Sequence, residues 1–204
     1  MTRAGIDSRE RILNAAGELF AVKGFAAVSM RDVGKAVKMT PATLYHHFDG
    51  KEALYKAVLA HVFSTRAADI RDIVSEGHSC DAHSRLETLL AFMSRLLLEE
   101  EVLAQLLRRE LIEGDPEKLQ YLAKELLQDL FDDLHAFAKQ LSGRMRSDRF
   151  TLYAMSLVFG FCELQKLSRH LNGADSDTGD PERFARESAT LLLYGASTAD
   201  KAGG

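Results

Sequence analysis

Residues 8–51, SRERILNAAGELFAVKGFAAVSMRDVGKAVKMTPATLYHHFDGK, carry the punctuation of three short helices in succession. Asp7 and Ser8 open the first, with Glu10 placed to complete a capping box. Ile12, Leu13, Ala16, Leu19 and Phe20 then recur at three- and four-residue spacing, which predicts one apolar stripe. Gly24 follows as the natural left-handed end. Ser29 caps a second helix, with Asp32 three positions on and Met30, Val33, Ala36 and Val37 as its expected inward face. Thr40-Pro41 begins a third, Pro standing in the first turn where no amide donor is missed. Asp49-Gly50-Lys51-Glu52 then turns into a long helix through Ala53, Leu54, Val58 and Val62, predicted over about residues 51–75.

Three short helices, the second and third joined by a tight turn, describe a helix-turn-helix module. The rest of the chain reads as helix too. Stretches at 82–98, 101–113, 116–142, 147–171 and 182–195 have helical periodicity, and Asp115-Pro116-Glu117 and Asp180-Pro181-Glu182 are both helix starts. The polar runs EGHSCDAH (76–83) and NGADSDTG (172–179) read as loops, and 196–204 as a fraying end. No run alternates with period two for long enough to suggest a sheet, so the expected fold class is all-α. The expected division is a DNA-binding domain at 1–51 and a helical domain at 52–204, with 51–75 as the linking helix.

Charge supports that division. The 204 residues carry a net −4, but residues 1–51 hold eight Lys/Arg against five Asp/Glu. The remainder holds 18 against 25. A basic front on an acidic body suits phosphate contact by the front alone. The N-terminus lacks an apolar signal core, and the apolar stretch at 150–162 falls short of the roughly 20 residues a membrane span needs. A cytoplasmic protein that does not enter the membrane is therefore expected. Cys80 and Cys162 make no disulfide framework. No phosphate-cradling glycine loop, nucleophile elbow or HExxH pattern appears, so no catalytic residue and no enzyme activity is expected. His78, Ser79, Cys80 and His83 cluster in a loop at a spacing that fits no standard zinc site, and no metal or cofactor is expected.

DNA recognition needs donors to phosphates and groups that reach base edges. With Leu44 and Phe48 turned inward, the third helix leaves Thr40, Pro41, Thr43, Tyr45, His46 and His47 for the outside. Threonine hydroxyls bond bases or phosphates, and the Thr methyl and Pro ring pack on a thymine methyl. Ser29 and Arg31 flank the start of the second helix, where amides and dipole favour phosphate; Arg31 reaches a phosphate or a guanine.

RERILNAAGELFAVKGF, SMRDVGKAV and TPATLYHHFDGKEALY together resemble the DNA-binding domain of TetR-family regulators over residues 9–55. The resemblance implies that Tyr45 gives its hydroxyl to a phosphate and that Lys51 clamps another. With Ser29, Arg31, Thr40, Pro41, Thr43 and His46, these are the expected DNA-binding residues. Three positions depart from the family pattern: Lys38 stands where the turn between the second and third helices usually has Gly, Val37 replaces the usual Ala, and Gly34 stands where Ala is common. A left-handed Lys38 would cost about 1 kcal/mol relative to Gly; a slightly different turn would avoid that cost, and the ammonium offers a further phosphate contact. The resemblance further implies a homodimer on a palindromic operator, acting as a repressor and released by a small molecule bound in the body, which makes 52–204 the effector-binding and dimerisation domain. The helix from 147, apolar on nearly every side between Phe150 and Phe161, needs cover all round. Leu157, Phe161, Leu164, Phe184 and Leu191 are the expected dimer contacts. Phe92, Leu103, Leu107, Tyr121, Phe131, Tyr153 and Phe161 either line the ligand pocket or fill the core. Few buried polar anchors accompany them, so the expected ligand is largely apolar.

Overall fold

The computed structural model describes residues 7–75, 81–141, 146–168, 170–171 and 179–198, and every element among them is helical. Residues 76–80, 172–178 and 199–204, with His78, Ser79 and Cys80 among them, lie outside the described residues. In chain order the helices are α1 (Ser8–Lys23), α2 (Met30–Val37), α3 (Pro41–His47), α4 (Lys51–Val74), α5 (Ala82–Glu99), α6 (Glu101–Glu113) and α7 (Pro116–Tyr121). A π-helical segment, Leu122–Leu127, separates α7 from α8 (Gln128–Leu141); α9 (Ser147–Ser168) and α10 (Pro181–Thr198) complete the chain. The helix read over 116–142 is thus broken into an α, a π and a second α stretch, because the wider π turn inserts register that apolar periodicity does not reveal.

The chain forms two compact units, residues 1–66 with 101–127, and residues 67–100 with 128–204. In the first, Ile12, Leu13, Ala16 and Phe20 of α1, Val33 and Val37 of α2, Leu44 of α3 and Leu54 and Val58 of α4 are buried together. Phe20 meets the edge of Tyr55 at 4.9 Å between centroids, and Phe25 lies 5.0 Å from the same ring; such pairs add about 0.5–1.5 kcal/mol each beyond burial. Ala36 departs from expectation: it is exposed, and Gly34 takes the inward position on α2.

The second unit packs α5, α8, α9 and α10 around Leu86, Leu90, Phe137, Phe150 and Val158. Ala185, Ser188 and Ala189 are the buried residues of α10 nearest its start, and their small side chains let α10 lie close along α5. Arg95 bonds Glu182 at 2.5 Å within this unit.

Candidate functional site

The second and third helices are fixed by their caps. Ser29 Oγ accepts from the Asp32 amide at 3.2 Å, and the Asp32 carboxylate accepts from the Ser29 amide at 3.0 Å, a complete capping box. The Ser29 hydroxyl also donates to Asp32, and this bond, with the Ser29 amide, holds the Asp32 carboxyl below the usual range. Thr40 Oγ1 accepts from the Thr43 amide at 3.2 Å, and the two threonine hydroxyls lie 2.9 Å apart. Between these helices Lys38 adopts φ 57°, ψ 42°, the only non-glycine with positive φ among the described residues. Its amide donates to the Lys35 carbonyl at 3.3 Å and the Met39 amide to Gly34 at 2.9 Å, so the turn is a Schellman closure made without glycine at its left-handed position.

Gly34 has a separate reason. A Cβ added there would stand 2.8 Å from the Met39 carbonyl oxygen. The glycine of this turn is therefore needed inside α2, for close approach, rather than after it.

Five expected contact residues, Ser29, Arg31, Pro41, Tyr45 and Lys51, line one shallow open groove of about 490 Å³ at the start of α2. Tyr45 is 57% exposed, its ring clear of the core. Lys51 is half-buried: its Nζ donates to the Ala26 carbonyl at 3.2 Å and sits 4.3 Å from the centre of the Phe25 ring. Thr40 and Thr43 bond each other beside the groove, with Thr40 exposed and Thr43 half-buried, and His46 and His47 are exposed on the same short helix. Two amide-rich helix starts, a guanidinium, a phenol and an ammonium on one surface are what phosphate recognition requires.

The sequence matches the family model described as "Bacterial regulatory proteins, tetR family" over residues 12–58, the segment that builds this groove. Over residues 12–58 the chain thus carries a segment of the TetR-family type. It is 40% identical over 74 residues to the HTH-type transcriptional regulator UidR of Escherichia coli, covering 36% of this chain and 38% of UidR. It is 34% identical over 82 residues to the HTH-type transcriptional repressor KstR2 of Rhodococcus jostii, covering 40% of this chain and 39% of KstR2. Each alignment thus spans less than half of the relative's own length. Across nearly the whole chain the fold is that of the transcriptional regulator FadR from Bacillus subtilis in complex with stearoyl-CoA, with a TM-score of 0.73 at 17% identity over 91% of this chain and 97% of that one.

The remaining expected residues lie as follows. Leu103, Leu107 and Tyr121 fall in the first compact unit, Phe92, Phe131, Tyr153 and Phe161 in the second. Leu103 is buried, Phe92 and Leu107 are half-buried, and Phe131 and Tyr153 are exposed. Within the second unit the apolar gap among Leu86, Met93, Leu134, Phe137, Phe150 and Met155 is about 20 Å³, room for a single water. Of the residues expected at a dimer contact, Phe161 and Phe184 stack on each other at 4.1 Å between centroids, Leu157 is half-buried, and Leu164 and Leu191 are each 61% exposed. Among the described residues no three His, Cys, Asp or Glu side chains converge as metal ligands, and no helix is long and apolar enough to cross a membrane.

Two neighbours on α6 had no signal in the sequence. Arg109 donates to the carbonyls of Ala21 and Val22 at 2.7 and 2.6 Å, closing the end of α1. Glu110, only 1% exposed, accepts from the Tyr55 hydroxyl, while its Oε2 has no hydrogen-bond partner among the described residues. Burial first, and then this bond, hold the Tyr55 proton far above the usual tyrosine range. An Arg or Glu in a helical pattern reads as solvated surface, so only the fold assigns these roles.

Proposed function

We propose that this chain is a DNA-binding transcriptional repressor that works as a homodimer on a palindromic operator and is released by a small, largely apolar ligand. The groove that gathers Ser29, Arg31, Pro41, Tyr45 and Lys51 within the family-matched segment carries the reading. In it, residues 1–51 form the DNA-binding head, Tyr45 and Lys51 hold phosphates, and Thr40, Thr43 and His46 face base edges. Residues 52–204 dimerise and sense, with α4 running from head to body. The repressor sense draws on the name of KstR2. The apolar ligand class draws on the acyl chain in the FadR complex and on the apolar lining of the second unit's gap. That gap of about 20 Å³ has to open to admit such a molecule.

Dimerisation places two α3 helices about 34–36 Å apart, the spacing of successive major grooves. The exposed Leu164 and Leu191, continuous with the Phe161–Phe184 stack, supply the self-complementary apolar face. The protein acts in the cytoplasm, with no catalytic step of its own.

Selection of bound sequences from a random DNA pool tests the reading, followed by titration of wild type and variants on the selected operator and on random DNA. Tyr45→Phe and Lys51→Ala should weaken binding to both DNAs, each flattening the slope of log K against log salt by about 0.9 if one phosphate contact is lost. Thr43→Ala should instead change sequence preference. Recovery of no enriched sequence, or equal binding by all variants to both DNAs, would overturn it.

A further inference from the structure

A second surface of the first compact unit has a chemistry that DNA contact does not use. Beside the start of α4 lies a cleft of about 210 Å³, walled by the rings of Phe25, Tyr55 and Tyr121 and floored by Leu59. Each ring already faces an ammonium. Lys118 Nζ stands 4.6 Å from the Phe25 centroid and 5.7 Å from that of Tyr55, and Lys56 Nζ is 5.3 Å from that of Tyr121. Ring faces carry partial negative charge and attract cations at this range. Glu52, Asp115 and Glu117 at the cleft, with Glu113 beside Lys118, still outnumber Lys56, Lys118 and Lys51, the last of which lies 4.3 Å from the Phe25 centroid. Lys118 is held there loosely: its ion pairs to Glu113 and Asp115 are 3.9 and 3.8 Å long.

We infer that this cleft is a binding site for a small organic cation, which takes the place of the Lys118 ammonium between Phe25 and Tyr55. The Lys118 stem is flexible, so displacement moves one side chain toward solvent and leaves the rings where they are. An incoming cation gains two ring faces and Tyr121 as a third wall, together with the carboxylates that Lys118 gives up. An anion would meet more carboxylates than lysines, and a neutral molecule would forgo the attraction that defines the walls. Tyr121 also stands at the entry to the π-helical Leu122–Leu127, a kind of segment that recurs at functional sites.

The test is a titration of the full-length, isotope-labelled protein by NMR with three probes of one shape at fixed ionic strength: tetramethylammonium, tert-butanol and pivalate. Tetramethylammonium should shift resonances around Phe25, Tyr55 and Tyr121 saturably, and the other two should not. Removing the competing ammonium by Lys118→Ala should tighten tetramethylammonium binding about tenfold. Lys118→Gln, which keeps the stem and guards against a folding defect, should act in the same direction, and Tyr121→Leu should loosen binding. Equal response to tert-butanol, preference for pivalate, absence of saturation, or unchanged affinity in both Lys118 variants would overturn the assignment. None of these readouts involves DNA, so failure of this site and failure of the repressor reading are separate results.

Discussion

Replacing Lys38 by glycine should make this protein more stable while leaving every side-chain contact in its core untouched. Lys38 is exposed and left-handed, with φ 57° and ψ 42°, at the closure of α2 onto α3. An L side chain in that region costs about 1–2 kcal/mol, from the clash of Cβ with the following carbonyl. Glycine removes the clash but enlarges the unfolded ensemble, which takes back about 0.4–1 kcal/mol. The net expectation is a gain of about 0.5–1 kcal/mol, and for a chain of this size that raises the melting temperature by about 1–4 °C. Lys38→Ala keeps the Cβ and the clash, so it should stay within about 0.5 kcal/mol of wild type. Thermal melts followed by circular dichroism, with urea titrations in parallel, read both variants. If Lys38→Gly is no more stable than wild type, or Lys38→Ala gains as much as Lys38→Gly, backbone strain is not the cause. The same two variants report on DNA: if the ammonium reaches a phosphate, both should flatten the salt slope by about 0.9.

Gly34→Ala should destabilise by about 1–3 kcal/mol in the same melts, because the new Cβ collides with the Met39 carbonyl and outweighs the better helix propensity of Ala. Tyr55→Phe should cost about 1–3 kcal/mol by leaving Glu110 buried with no donor, and Glu110→Leu added to it should recover part of that loss in urea titrations. The Tyr55 proton also sets a pH dependence. Because folding raises the tyrosine above its ordinary value of 10.0, its contribution is full below that pH and is lost as pH rises further. Wild type should therefore lose stability more steeply than Tyr55→Phe in the alkaline range. If the proposed homodimer uses the exposed α10 face, Leu191→Glu should give a monomer by light scattering, with operator binding weakened at a fixed protein concentration.

Many of the helix starts were legible in the chain itself, because their signals are local. Ser29 with Asp32, Thr40 with Pro41, and Asp115 with Pro116 announce helix starts whose bonds close within three residues, and each start is found there. The inward residues Leu44 and Phe48 follow from helical period, and with them the outward side of α3, on which Tyr45 is exposed. Lys38 was marked by its place in a turn that favours glycine. Ala36 went the other way, since an eight-residue helix offers two registers for its inward face and Gly34 settles which is used. The π-helical break at Leu122–Leu127 had no local mark at all.

The sequence by itself determined where most helices begin, how their starts are capped and which side of α3 faces outward, because capping and periodicity act between residues a few positions apart. Only the tertiary structure decided which charges do something other than meet water. Arg109 closing α1 across 88 positions, Glu110 taking the Tyr55 hydroxyl across 55, and Lys118 resting on Phe25 are all contacts of distant segments. Burial, which changes what a charge can do, is a property of packing that no local pattern encodes.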